Sequence, residues 1–354
     1  MNRILPISSI RFVLASWVVL SHYGMPILTD HRELDLLGFV RAGVGAAFNG
    51  PAAVIVFFVI SGFCIHFPNR NGLEVQSWKL YYAKRYVRTL IPMAAALALA
   101  FPLKVPFGLF TDSVLWSLLC EEIYYFVYPG LLYLRDRLGW TSLQILAWGM
   151  SFLVILRAPG SPIYPAYGPG LNWVLGLPCW LLGCRMAERL VAFQDQPFSR
   201  RRIWLWRTTI WVLSVMSLVL RFHLGIGYPW TLNLFAAFST LWLEREIRYY
   251  RSRPAPRLER MGEASYSLYL THFSSAAIVR VLPNYSLLAP ISVWLWSLAS
   301  CATVAALFYR FIELPSHEFA RHLKRWKPRL RQLNNTRLHR IPSDLASQLP
   351  DRTQ

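Results

Sequence analysis

Apolar segments alternate along this chain with clusters of Lys and Arg, and this alternation constrains the fold more than any other feature. A helix that crosses a bilayer needs about 20 predominantly apolar residues. Only 16% of the residues are charged, against about 25% in soluble domains. The sequence therefore predicts an all-α polytopic membrane protein. About ten transmembrane helices are expected, centred on residues 8–27, 49–67, 89–103, 114–134, 141–156, 171–187, 203–220, 228–243, 263–282 and 288–311.

The positions of the 37 Lys and Arg residues predict an orientation. If the N-terminus is inside and ten spans alternate, 31 of these residues fall in inside segments and 6 in outside loops. Cytoplasmic loops carry such an excess, so both termini are predicted to be cytoplasmic. The net charge of +19 then follows the inner membrane face and its anionic lipids, and does not indicate nucleic-acid binding. We divide the chain into a membrane-embedded domain, residues 1–320, and a basic cytoplasmic tail, residues 321–354.

Soluble catalytic motifs are missing from the sequence. There is no glycine-rich phosphate loop and no G-x-S-x-G, and the five cysteines lie in predicted spans without a CxxC pair. Buried cysteines usually act as small apolar residues, so neither a disulfide nor a metal site is expected. Any chemistry is predicted to take place in or at the membrane.

The first span, RFVLASWVVLSH, carries two polar residues that need a reason. Arg11 and His22 are eleven residues apart, which on a helix gives a separation of about 16 Å and nearly the same face. One helix would thus offer a cation at the cytoplasmic edge and an imidazole deeper in the membrane. The alternative is a snorkelling Arg and a His that merely bonds a neighbouring helix.

Two adjacent glutamates interrupt the apolar stretch WSLLCEEIYYFVYP. A carboxylate in the bilayer costs roughly 2.5–3.5 kcal/mol, so Glu121 and Glu122 are candidate functional residues. The residues that share one helical face are Ser117, Glu121, Tyr124 and Tyr128, which favours Glu121 as the inward carboxylate. Beside His22 it would fix the imidazole tautomer, and a positioned His is the commonest general base. The alternative is a buried carboxyl group that holds two helices together.

The stretch KRYVRTLIP places Arg85 and Arg88 three residues apart on one helical face, at the predicted inner edge of a span. Guanidinium groups bind phosphate bidentately, but anchoring at the inner face explains the pair equally well. His66 and Glu313, at other predicted inner ends, need less explanation.

Small and polar residues recur in two further spans. In FFVISGF, Ser61 and Gly62 allow close helix approach. In SYSLYLTH, Ser265, Tyr269 and His272 lie on roughly one helical face. Such groups usually form hydrogen bonds with neighbouring helices. The secondary site candidates are Ser61, Tyr269 and His272, together with Tyr124 of the glutamate helix.

Taken in order, these stretches resemble the acyltransferase-3 family of bacterial membrane acyltransferases over roughly residues 7–320. The resemblance rests on Arg11 and His22, FFVISGF, RYVR with the following Pro92, WSLLCEEIYYFVYP, SYSLYLTH, and Glu313-Leu314-Pro315 near the last span. One departure is NGPAAVIVFF, because many members carry an Asp just before the FF.

The resemblance implies an O-acetyltransferase of the bacterial inner membrane. Such enzymes move an acyl group, usually acetyl, from cytoplasmic acyl-coenzyme A to a hydroxyl of a cell-surface or exported saccharide or glycolipid. Coenzyme A enters as a donor substrate, and no permanently bound cofactor is implied. The residues that the family ties to activity correspond here to Arg11, His22, Arg85 and Arg88.

The residues and the resemblance together suggest a mechanism. The three arginines would bind the coenzyme A phosphates, and His22 would act either as general base or as the acyl carrier. Glu121 or Glu122 would orient the imidazole. The alternatives are a transporter of a saccharide or lipid-linked precursor, although no internal repeat of these motifs occurs, and a non-catalytic subunit that recruits a partner through its basic tail.

Overall fold

The computed structural model describes residues 7–24, 47–71, 78–105, 114–192, 198–283 and 288–323. Within these ranges the regular structure is helical and contains no β-strand. The helices are α1 (Ile7–Tyr23), α2 (Gly50–His66), α3 (Trp78–Ala100), α4 (Leu115–Arg157), α5 (Asn172–Ala192), α6 (Arg200–Leu224), α7 (Tyr228–Ser252), α8 (Pro256–Glu263), α9 (Ser265–Arg280), α10 (Pro290–Phe308) and α11 (Leu314–His322). A π-turn, Tyr309–Glu313, joins α10 to α11.

Each apolar segment found in the sequence overlaps one of these helices, so the all-α prediction is confirmed. Helix α4 contains two of the segments, and Gly139, with φ 75° and ψ 158°, breaks it between them. By length and composition, four helical stretches of the described chain are able to cross a membrane: Gly50–Asn69, Leu115–Arg157, Arg200–Leu224 and Ile291–His322. From residue 324 onward, the predicted cytoplasmic tail lies outside the described residues.

Polar and apolar side chains are distributed as lipid exposure requires. Large apolar side chains face outward, for example Leu153, Leu205 and Phe222, each more than 60% exposed. Helix α9 instead buries a row of polar side chains: Ser265, Ser267, Thr271, His272, Ser274 and Ser275. Helices in lipid associate through such small and polar residues, because apolar contacts give no advantage over lipid. The chain is an integral membrane protein whose largely apolar interior also contains buried polar side chains.

Helix α2 lies at the centre of the bundle. From Ala52 to Phe63 only Phe57 is not buried. A Cβ atom added at Gly62 would overlap the carbonyl oxygen of Trp180, and one added at Gly183 would overlap that of Val59. The backbones of α2 and α5 therefore touch, as the small residues of FFVISGF predict for α2.

We predict that Gly183→Ala destabilises the protein by roughly 1–3 kcal/mol or more, because a methyl group there meets rigid backbone. Thermal unfolding in detergent can be followed with a thiol-reactive dye, since none of the five cysteines forms a disulfide and four are buried. The expected result is a lower unfolding midpoint.

The matched control is Gly149→Ala. Gly149 lies inside α4, and a Cβ there would have no neighbour within 4 Å. Replacing a helical Gly by Ala favours the helix by up to about 1 kcal/mol, so this midpoint should stay constant or rise. Equal midpoints for the two variants would contradict the backbone contact.

Candidate functional site

A cavity of about 220 Å³ lies between α1, α2, α3, α4, α9 and the start of α11. We call it the arginine cavity. Its polar lining consists of Arg11, Ser61, Arg85, Arg88, Thr89, Ser117, Glu121, Tyr125, Ser265, Tyr266, Tyr269, Glu313 and His317. The structure thus brings together six of the residues singled out in the sequence: Arg11, Ser61, Arg85, Arg88, Glu121 and Tyr269. Of the other predicted site residues, His22, Glu122, Tyr124 and His272 do not line it.

Three guanidinium groups make one end of this cavity cationic. Arg11 comes from the start of α1, and Arg85 and Arg88 come from the first half of α3. The guanidinium carbon of Arg85 lies 3.9 Å from the ring centroid of Tyr125, which holds the group in place. Guanidinium groups of this kind are the donors that suit phosphate groups bidentately.

Two buried polar atoms of the cavity lack hydrogen-bond partners among the described residues. They are Nε of Arg85 and Oγ of Ser265. Buried polar atoms in folded proteins nearly always have a partner, so an unpaired donor in a cavity indicates a ligand-binding position. Both residues line the same cavity, which makes it the best-supported binding site in the described part of the chain.

A directed chain of hydrogen bonds ends on Glu121. Tyr125 Oη donates to Glu121 Oε2 at 2.8 Å. With this proton committed, Tyr125 Oη accepts from Ser61 Oγ at 2.9 Å. Ser61 Oγ in turn accepts from Trp180 Nε1 at 3.3 Å. This chain and the nearby guanidinium groups of Arg11 and Arg85 offset the cost of the buried carboxylate.

Glu313 is a site residue that the sequence analysis did not select. It is 1% exposed and accepts from the backbone N–H of Ser267 at 3.0 Å and from its hydroxyl at 2.5 Å. His317 Nε2 lies 3.8 Å from its other carboxylate oxygen. Glu313 ends the single turn of π-helix before α11, and such π-bulges in helices are frequent at functional sites. The Glu-Leu-Pro triplet was the available signal in the sequence.

Beyond the arginine cavity, His22 and His272 form a hydrogen-bonded pair. His22 Nδ1 lies 3.0 Å from His272 Nε2. His272 Nδ1 lies 2.8 Å from the carbonyl oxygen of Tyr269. Because a carbonyl only accepts, His272 Nδ1 carries a proton. In the neutral ring, its Nε2 is then an acceptor, so His22 Nδ1 is the donor. The Nε2 atom of neutral His22 is left with a free lone pair.

Tyr269 connects the histidine pair to the arginine cavity. Its hydroxyl bonds Ser117 Oγ at 2.8 Å inside the cavity, while its carbonyl holds His272. His272 is fully buried, whereas His22 is exposed in the last turn of α1. The arginine end of the cavity is therefore joined to an accessible imidazole through one residue, Tyr269.

The prediction that Glu121 or Glu122 orients His22 is wrong, because His272 occupies that position. His22 follows Ser21, which lies against Gly50 at the start of α2. The Glu121 chain reaches α2 at Ser61, eleven residues further on, or about 16 Å along the helix. Glu122 lies outside the cavity lining and has one buried carboxylate oxygen without a partner among the described residues.

Tyr124 is also not a residue of the arginine cavity. It is fully buried, and its hydroxyl donates to the carbonyl oxygen of Trp173 at 2.7 Å. Tyr125 takes the position toward the cavity, because α4 packs its Tyr124 side against α5. Helical spacing predicts which residues share a face of α4, but not which neighbouring helix each face contacts.

Comparison with known proteins gives a single family. The family model for the acyltransferase-3 domain, described as an acyltransferase domain, matches residues 7–310. The match includes both histidines and all three arginines of the site. No match was found among curated proteins or among solved structures.

Proposed function

The chain belongs to the acyltransferase-3 family, and on that premise we propose that this membrane acyltransferase moves an acyl group, in the first instance acetyl, from cytoplasmic acyl-coenzyme A to a saccharide hydroxyl. The acceptor would be a cell-surface or exported saccharide or glycolipid. The observation that carries the proposal is the arrangement of a cationic cavity connected through Tyr269 to an accessible imidazole.

The arginine cavity is suited to the anionic part of the donor. Coenzyme A carries phosphate groups, and Arg11, Arg85 and Arg88 supply several N–H donors for them. The unpaired Nε of Arg85 is one such donor. The cavity is small, so the phosphates would occupy its cationic end while the pantetheine arm runs past Ser117 and Tyr269 toward the histidine pair.

His22 Nε2 would act on the acceptor. As general base it takes the proton of the saccharide hydroxyl while the hydroxyl oxygen attacks the thioester carbonyl carbon. The carbon–sulfur bond then breaks, and the coenzyme A thiolate receives that proton. In the alternative, His22 Nε2 itself takes the acyl group and passes it to the hydroxyl. Both routes need the same Nε2 lone pair.

His272 would be a positioning residue in either route. By accepting from His22 Nδ1 it fixes the ring orientation and directs the lone pair to Nε2. Unlike a carboxylate, a neutral imidazole adds no charge. Glu121, about 16 Å away along the bundle, would instead balance the charge of the arginines.

We also propose ten membrane crossings with both termini cytoplasmic, in the bacterial inner membrane. Contacts between helices support this topology, because they join segments that are all predicted to lie on the cytoplasmic side. Arg189 binds Glu244 at 2.6 Å and Arg207 binds Glu246 at 2.5 Å. Further pairs of this kind are Ser9 with Glu259 and His66 with Glu188.

The function is tested by acyl transfer from radiolabelled acetyl-coenzyme A to a native glycan extract in inside-out vesicles. We expect His22→Ala to lower transfer by about 10²- to 10⁴-fold, as for loss of a general base. His223→Ala is the matched control, since His223 is exposed at the end of α6. Transfer that does not depend on His22 would remove its catalytic role. With folded protein, an absence of transfer from any acyl-coenzyme A would favour the transporter.

The role of His272 is tested by a pair of variants. His272→Leu removes the acceptor for His22 Nδ1 and should lower kcat by roughly tenfold, with KM for the donor unchanged. His272→Gln places a carboxamide oxygen near the lost acceptor and should restore part of kcat. Equal kcat values for the two variants would show that His272 only fills space.

The role of the arginines is tested with two donors. For acetyl-coenzyme A, Arg85→Gln/Arg88→Gln should raise KM by roughly 10- to 100-fold, because charge-assisted hydrogen bonds to phosphate are lost. For S-acetylpantetheine, which has no phosphate, variant and wild type should have similar KM values. The matched control is Arg157→Gln/Arg280→Gln, at two exposed arginines. An equal rise in KM for both donors would contradict phosphate binding.

A further inference from the structure

A second cavity, of about 440 Å³, lies on the other side of α1 and α2, where α6 and α7 pack against them. We call it the α6–α7 groove. No residue lines both this groove and the arginine cavity. Its walls are mostly apolar side chains, among them Leu14, Val56, Ile210 and Phe235. The acyl transfer proposed above makes no use of it.

The groove has the length of one membrane leaflet. Along α6 its lining runs from Trp204 to Ser214, ten residues or about 15 Å of helix. The hydrocarbon core of a bilayer is about 30 Å thick, so one leaflet contributes about 15 Å. Asn49, which donates to the carbonyl oxygen of Ser214 at 2.8 Å, ends the apolar lining on that side. One lipid hydrocarbon chain fits this length.

The opposite end of the groove has the chemistry of a headgroup region. Arg207 binds Glu246 through Nε and Nη2, which holds its guanidinium group at this end of the groove. The rings of Trp204 and Tyr250 lie 4.9 and 5.8 Å from its guanidinium carbon. Tryptophan, tyrosine and arginine are the residues that anchor proteins at the membrane–water interface.

Exposed positive charge lies next to this end. Helix α6 begins with Arg200, Arg201 and Arg202, all exposed, and its first turn contains no acidic residue. The backbone dipole is also positive at a helix N-terminus, so three cations there repel it and one another. An anion at this position relieves both repulsions, and anionic lipid headgroups are the anions at a membrane surface.

We propose that the α6–α7 groove binds one hydrocarbon chain of an anionic phospholipid, with the lipid phosphate at Arg200–Arg202. The lipid belongs to the leaflet at the Arg207 end, which is the cytoplasmic leaflet in the orientation proposed above. The chain lies against Leu14 and Val56 and supports the contact of α6 and α7 with the two helices that also wall the arginine cavity. This binding does not depend on acyl transfer.

The test uses the full-length protein in nanodiscs of phosphatidylglycerol and phosphatidylcholine. Two probe lipids are added in trace amounts, one with a phosphatidylglycerol and one with a phosphatidylcholine headgroup, and each carries a diazirine on one hydrocarbon chain. After irradiation, the labelled peptides are mapped. We expect the phosphatidylglycerol probe to label the groove segments of α6 and α7 at least about fivefold more than the phosphatidylcholine probe. Equal labelling by both headgroups would overturn the proposal, as would equally strong labelling around Leu153 on the lipid-facing side of α4.

Two sets of variants separate the chain from the headgroup. Thr208→Trp places a ring in the groove from an exposed position and should lower groove labelling, whereas Leu205→Trp, three residues away and outside the groove, should not. Arg200→Gln/Arg201→Gln/Arg202→Gln should remove the headgroup preference and keep the chain labelling. Variants are compared when their thermal midpoints match that of the wild type. Unchanged groove labelling in Thr208→Trp would contradict the proposal. A headgroup preference that persists in the triple arginine variant would also contradict it.

Discussion

Polar groups inside a lipid-facing bundle must find their partners within that bundle, and this constraint organises the described structure. Lipid offers no hydrogen bonds, so an unpaired carboxylate or imidazole there is costly. Glu121 is therefore held by Tyr125, His272 by the carbonyl of Tyr269, and Glu313 by Ser267. The first two contacts lie within one helix each, whereas the contact of Glu313 with Ser267 joins the π-helical turn to α9. His22 and His272 likewise join α1 to α9, so part of the site also holds the bundle together.

The fold was largely predictable because membrane length and apolar composition leave few options. Every apolar segment overlaps a helix, and Gly62 marks a close contact of helix backbones. The partner of that contact was not predictable, since nothing in the sequence says that Gly183 of α5 is the residue that meets α2. Which helices become neighbours depends on the packing of the whole bundle, and the periodicity of one segment carries no information about it.

Which residues belong to the site was more predictable than which of them contact one another. Helical spacing and charge identified Arg11, Arg85 and Arg88, which the structure places around one cavity. The prediction that a glutamate orients His22 is wrong, because helical spacing within single helices does not contain the shift of one helix along another. Since Ser21 lies against Gly50, His22 is level with the start of α2. The Glu121 carboxylate, which is connected through Tyr125 to Ser61 further along α2, is out of its reach. A second histidine, His272, fills the role assigned to a carboxylate.

The separation between the cationic end and the imidazole itself argues for the type of donor. Arg11 and His22 are on one helix and about 16 Å apart, so a compact acyl donor such as an acyl phosphate would not reach from one to the other. A donor that binds at the arginines and reacts at His22 needs its anionic and reactive groups at the two ends of a long flexible arm. Acyl-coenzyme A has this form, with phosphates at one end and the thioester at the other. Given the proposed roles of the arginines and His22, the rise of α1 between Arg11 and His22 thus favours a coenzyme A thioester as the donor.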